Sequence, residues 1–186
     1  PEMARRAAAF VKQIDRLPLP VKSAPGFLVN AVLAPYMLEA MRCIDEGVAA
    51  ETIDEAMLAF GMPMGPIELI DTVGLDIAMA AGKSLAGVAT EPPRCLVERV
   101  NAGKLGRKTG AGFYRYVDGK VSKGDAGSVP QGLAQRLIKP LLTRTQQLVI
   151  EGVVSDADLA DAGVIFGTGF APFAGGPLNY LKSQHA

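Results

Sequence analysis

The chain has no tryptophan, one histidine and two cysteines in 186 residues. The histidine, His185, sits next to the C-terminal residue, where chains fray into solvent, so no Ser-His-Asp or Cys-His arrangement can be assembled around it. Cys43 and Cys95 form no CxxC pair, which argues against zinc and thioredoxin-like chemistry and leaves two buried thiols in a reducing cytoplasm as the expectation. Charge is balanced, with Lys+Arg 19 against Asp+Glu 19 and no basic stripe, so nucleic acid is not an expected partner. No apolar run approaches the roughly 20 residues of a membrane span, and no secretory signal precedes the first helix. No G-x-G-x-x-G follows a strand: the nearest groupings are Gly106…Gly110-Ala111-Gly112 and Gly167-Thr168-Gly169, neither in a strand–helix context. A dinucleotide site and a histidine base are therefore both missing, and the chain by itself is expected to be inert.

What is present is helix and punctuation. Hydrophobic residues make up 49% and charged residues 20%, the balance of a globular protein. Residues 3–14 are alanine-rich and suit a helix, and the prolines of 17–25 predict an extended stretch. From Gly26 the pattern turns helical, with Phe27, Ala31, Ala34, Leu38 and Met41 at three- and four-residue steps. Pro35 lies inside that run and predicts a kink. A second helix is expected to start on a Thr52–Glu55 capping box and stop at Gly61; Pro66 opens a third, and a fourth runs from Gly74 to about Gly82. Asp118-Gly119 is a type I′ hairpin signal inside 113–121, and 122–130 reads as a linker. The fold class expected is all-α with this one small β-hairpin.

Residues 35–69 recur loosely as 140–178. Pro35 matches Pro140, and Glu46-Gly47-Val48 matches Glu151-Gly152-Val153. Ala56 matches Ala162, Phe60-Gly61 matches Phe166-Gly167, and Gly65-Pro66 matches Gly176-Pro177. An interior proline costs a helix roughly 3 kcal/mol, so a repeated one points to duplication. Two helical units packed as a pseudo-dimer are expected, with Leu137, Leu141, Leu148, Leu159 and Phe166 facing Phe27, Leu38, Met41, Ile53, Met57 and Phe60.

Two segments carry possible chemistry. Asn30 falls in the first turns of a helix, where its amide could equally satisfy local backbone groups. Gly106-Arg107-Lys108-Thr109-Gly110 could present amides and cations to a phosphate, or be a solvated loop. PGFLVN (25–30), DEG (45–47), FGMPMGPIELIDTVGLD (60–76) and GRKTGAGFYRY (106–116), taken together and in order, resemble the C-terminal domain of 3-hydroxyacyl-CoA dehydrogenases. The resemblance implies that NAD and a catalytic His–Glu pair belong to an upstream Rossmann domain, of which residues 1–25 are the tail. It implies a first copy over 26–121, the 122–130 linker, and a second copy over 131–186 that lacks PGFLVN. It makes Asn30 the supporting active-site residue, and leaves Arg107 and Lys108 as candidate contacts to a CoA phosphate. Here Ala31 follows the asparagine where the family usually has a basic residue. The tandem copies resemble multifunctional β-oxidation enzymes with a fused hydratase domain, which adds acyl-CoA and a thiolase subunit as expected partners. The rival readings are a non-catalytic helical assembly module and a dehydrogenase of small hydroxy acids.

Overall fold

The computed structural model describes residues 2–85 and 91–184; His185 lies outside them. Their helices are α1 (Glu2–Gln13), α2 (Val29–Asp45), α3 (Ala50–Phe60), α4 (Pro66–Val73), α5 (Leu75–Leu85), α6 (Arg94–Asn101), α7 (Leu133–Ile150), α8 (Ala157–Thr168) and α9 (Pro177–Ser183). One antiparallel hairpin joins β1 (Arg115–Val117) to β2 (Lys120–Ser122), with Val117 opposite Lys120. Asp118 and Gly119 both have positive φ, 50° and 73°, as a type I′ turn requires. The protein is mostly helical.

The long helices α2 and α7 make the most extensive helix–helix contact. Val32, Tyr36, Ala40 and Cys43 of α2, with Leu137, Leu141 and Leu148 of α7, are fully buried. Pro35 and Pro140 sit inside these helices, and α2 continues through Pro35 as one element. At the other end of the core, Phe60 of α3 meets Phe170 and Tyr180 edge-on, with ring centroids 5.8 and 5.3 Å away. Residues 17–25 lie along α8: Lys22 N donates to Val153 O at 2.9 Å, and a Cβ at Gly163 would fall 2.5 Å from Leu19 Cδ2. By contrast α1 buries nothing, and Met3, Phe10, Ile14 and Leu17 are all more than half exposed.

Several expectations change. Phe27 is not on the apolar face of α2: it precedes the helix in a left-handed conformation (φ 49°), and its ring is 54% exposed. Leu159 and Phe166 are exposed, not in the interhelical contact, because α8 turns its small side to α2. Gly167 approaches Val29 so closely that a Cβ would stand 2.4 Å from Val29 Cγ2. The Thr52–Glu55 capping box does not form, since α3 starts at Ala50 with Ala49 as its uncapped N-terminal residue. Thr52 Oγ1 instead donates to Ala126 O. The 122–130 stretch is correspondingly tied down, with Gly124 N donating to Glu51 Oε1 at 3.1 Å and Lys123 reaching further in.

Candidate functional site

The most built part of the molecule centres on α3 and α4. Asp54 is 1% exposed and accepts from Ile67 N at 2.8 Å and Glu68 N at 3.2 Å, capping α4 from outside. The same carboxylate accepts from Tyr114 Oη at 2.8 Å and from Lys123 Nζ at 3.0 Å, and Lys123 also pairs with Glu68 at 2.7 Å. Gly65 is required beside it, because a Cβ there would stand 2.2 Å from Asp54 Cγ. Asp71, on α4, accepts from Phe113 N (2.8 Å), Tyr114 N (2.9 Å) and Tyr116 Oη (3.2 Å). Burial is the largest influence on both carboxyls and holds their pKa values above the usual range despite these donors. The Tyr114 hydroxyl is driven up by burial and then by Asp54. Together these bonds latch the 105–116 loop onto α4. Arg99 adds to the latch by lying 4.1 Å over the Phe113 ring.

The opposite side of α4 faces a groove of about 730 Å³. One wall is α2, through Asn30, Ala34, Met37 and Met41; the other is Leu69 and Val73 of α4 with Ile77, Ala78 and Ala81 of α5. Pro93 and Leu96 line it where α6 begins. That end is fixed because Asp45, the last residue of α2, accepts from Arg94 N and Cys95 N at 2.8 Å each and caps α6. Cys95 Sγ donates to Met41 O, and burial, with Asp45 beside it, pushes its thiol up to about 12.

Asn30 lies at the exposed mouth of this groove, one residue into α2, next to Pro25 and Gly26. Among the described residues its carboxamide has no hydrogen-bond partner, and Leu28, the residue before α2, gives no side-chain cap. Arg107 and Lys108 are exposed on a 3-10 turn and do not line the groove. Lys108 is paired with Asp76 at 2.5 Å. The structure therefore separates Asn30 from the two cations.

The second set of helices repeats the capping alone. Asp161 of α8 accepts from Leu178 N at 2.7 Å and Asn179 N at 3.1 Å at the start of α9, and Gly176 presses on it. Asp54, Asp71, Tyr114 and Lys123 were not singled out from the sequence. The available signal was a carboxylate inside an otherwise apolar helical stripe, at Asp54, Asp71 and again at Asp161.

Residues 26–116 match the family described as 3-hydroxyacyl-CoA dehydrogenase, C-terminal domain. The whole chain aligns with the fatty acid oxidation complex subunit alpha of Shewanella putrefaciens at 34% identity and of Shewanella baltica at 33%, covering 29% of each. The chain thus spans under a third of the length of these relatives. A crystal structure of 3-hydroxybutyryl-CoA dehydrogenase from Escherichia coli shares the fold, with TM-score 0.76 over 97% of this chain and 57% of that one at 22% identity. (S)-3-hydroxybutyryl-CoA dehydrogenase from Ralstonia eutropha is 39% identical over 61% of this chain and 42% of its own, with TM-score 0.56. The dehydrogenase part of multifunctional enzyme 1 from C. elegans aligns over 87% of this chain and 41% of its own, with TM-score 0.67 and 25% identity.

Proposed function

We propose, from the match of residues 26–116 to the 3-hydroxyacyl-CoA dehydrogenase C-terminal domain family, that this chain is the substrate-side portion of an enzyme oxidising L-3-hydroxyacyl-CoA to 3-ketoacyl-CoA with NAD. The relatives it aligns with along its full length are named for fatty acid oxidation, which supports that pathway over a dehydrogenase of small hydroxy acids. The NAD and the histidine base are assigned to an upstream domain. The residues present do not fit a dinucleotide: Gly106–Gly112 surrounds a 3-10 turn and Gly167–Gly169 ends α8, so neither offers a helix N-terminus after a strand.

Its contribution is Asn30. The observation that carries the assignment is the carboxamide's position at the mouth of an apolar groove, with no hydrogen bond made among the described residues. Leu28 holds the N-cap position of α2, so the exposed Asn30 amide is not committed to the helix start. Free, it can donate from Nδ2 to the substrate oxygen as charge develops there, or hold the imidazole that takes the hydroxyl proton. Arg107 is the better placed of the two cations to meet a CoA phosphate, since Lys108 is engaged by Asp76.

The domain reading is proposed alongside: 1–25 as the tail of the upstream domain, 26–121 and 131–186 as two copies joined by 122–130. The shared Asp–Gly-Pro capping supports duplication, and contacts between α2 and α7 and between α3 and α7 support a pseudo-dimer. An upstream hydratase domain, a thiolase partner and a cytoplasmic location complete the proposal by analogy with the named relatives; among the described residues no helix is long and apolar enough to cross a membrane.

The test uses the full-length protein. Asn30→Ala should lower turnover of L-3-hydroxybutyryl-CoA by about 10²–10³ with the melting temperature unmoved. Unchanged turnover with a lower melting temperature would reduce Asn30 to a helix-start residue.

A further inference from the structure

We infer that the second set of helices positions Asn30: α8 seats the start of α2 through Gly163 and Gly167, which makes these two glycines positioning residues for the reaction. The inference rests on the role given to Asn30 above and deepens it. By itself the start of α2 is weakly determined. It has no side-chain cap, and the two residues before Leu28, Gly26 and Phe27, both stand in the left-handed region, at φ 75° and 49°. A bulky residue such as Phe27 stays there only where its surroundings enforce it. The enforcing contacts come from α8. A Cβ at Gly163 would stand 2.6 Å from Leu28 Cδ2, and one at Gly167 would stand 2.4 Å from Val29 Cγ2. Consecutive residues of the helix start therefore rest on consecutive turns of α8, since positions four apart share a helix face. Asn30 is the next residue along.

The chain leading into α2 is fastened to the same helices. Leu19 Cδ2 would lie 2.5 Å from that Cβ at Gly163, and Lys22 N donates to Val153 O at 2.9 Å just before α8. Both sides of the left-handed turn are therefore held by the second set. Glycine is a costly choice inside a helix, because it loses more backbone freedom on folding than alanine does. In α3, counted from the aspartate that is fifth in each helix, the corresponding positions are Ala56 and Phe60. The two glycines are not part of the shared capping plan. They stand on the one of these two helices that carries the start of α2, where only the absence of a Cβ permits the approach.

The full-length enzyme is assayed with L-3-hydroxybutyryl-CoA. Gly167→Ala crowds Val29 and displaces the Asn30 that follows it, and a misplacement of about 1 Å near the chemistry costs up to about 100-fold in rate. We expect kcat to fall by about tenfold with KM little changed. Adding Val29→Ala removes the methyls that the new Cβ meets and should restore kcat to within about threefold of wild type. Made in the Asn30→Ala enzyme, Gly167→Ala should lower kcat no further, because the amide it displaces is already gone. A loss of folded protein would instead multiply with the loss from Asn30→Ala, so independent effects overturn the inference, as does a pair with Val29→Ala that is no better than Gly167→Ala alone. Should Gly167→Ala fail to fold, Val29→Ala empties the contact instead of crowding it. It should lower kcat by about threefold, and only while Asn30 is present. Wild-type turnover in these variants beside an impaired Asn30→Ala enzyme overturns the seat and leaves the role of Asn30 standing. Wild-type turnover in Asn30→Ala itself overturns both.

Discussion

The α2–α4 region and the α7–α9 region are built to one plan and used differently. Each opens on a long helix with a proline inside it, turns through a short helix, and caps the next with an aspartate buried against a Gly-Pro start. The caps are nearly superimposable in chemistry: 2.8 and 3.2 Å at Asp54, 2.7 and 3.1 Å at Asp161. Beyond the cap they part. Asp54 also binds Tyr114 and Lys123, and its neighbour Asp71 holds the 105–116 loop. Asp161 has the two backbone donors and no such loop. The shared part is what a helical unit needs to satisfy its backbone; the part found once lies on the side of α4 away from the groove. The capping is common to both regions, and the added polar network is found in the first alone among the described residues.

The largest expected break in this comparison is Asp54→Ala. It removes a 1%-exposed carboxylate, stranding two backbone donors and a buried tyrosine hydroxyl and leaving Lys123 with Glu68 alone. Loss of one partner from a buried charged network costs about 3–5 kcal/mol. Asp161→Ala strands only the two N–H groups of α9, and about 2 kcal/mol is expected. Denaturant unfolding measures both, and equal losses would mean the Tyr114 and Lys123 bonds contribute nothing.

How much of this could be read from sequence follows from how local each feature is. Gly61, the Pro66 start and the Asp118-Gly119 turn depend on neighbouring residues only, and they stand where the sequence put them. The capping box failed because Thr52 is drawn to Ala126, a partner 74 positions away. Asp54 and Asp71 were missed for the same reason, since their donors at 114, 116 and 123 are brought in by the loop and hairpin. The repeat's register also shifts: Asp54 and Asp161 are each the fifth residue of their helix, one residue off the match of Ala56 with Ala162. Gly169, not Gly167, is the left-handed residue ending α8, as Gly61 ends α3. Sequence identity at Phe-Gly had outweighed that geometry. Asn30 was singled out only through family resemblance, because on spacing alone an exposed asparagine near a helix start is ordinary.

The two Gly-Pro turns sharpen the comparison in the other direction. Gly65→Ala drives a Cβ to 2.2 Å from Asp54 Cγ, but the backbone there (φ −69°) suits any residue. Gly176→Ala meets Asp161 Cβ at 2.4 Å and also occupies φ +105°, a conformation that L side chains resist. Overpacking costs about 1–3 kcal/mol and the left-handed backbone about 1–2 kcal/mol more. Gly176→Ala should therefore be the more destabilising, while Gly65→Ala should be the one that lowers dehydrogenase turnover, because it displaces α4 from the groove wall. Thermal melts and turnover of the two variants separate these; a Gly65→Ala enzyme with full activity would cut the link between cap and site.

The smallest effect expected is in pH dependence, and its sign distinguishes the buried carboxylates from an exposed helix cap. Burial holds Asp71 above the usual carboxylate range, as it does Asp54 and Asp161. Between the ordinary value of about 4 and the raised one, the folded protein carries more of the proton than the unfolded chain. Stability must then fall as pH rises through that window. Asp156, which caps α8 by accepting from Leu159 N, is shifted the other way by that bond and by Ser155. Its contribution is present above the ordinary value and is lost as pH falls through the lowered one. Unfolding free energies of the wild type minus those of Asp71→Asn should decrease as pH is raised through the window above about 4. The same difference for Asp156→Asn should instead shrink as pH is lowered below it. Slopes of the same sign for both variants would show that the buried loop latch and the exposed helix cap respond to protons alike, and the electrostatic contrast between buried and exposed carboxylates would fail.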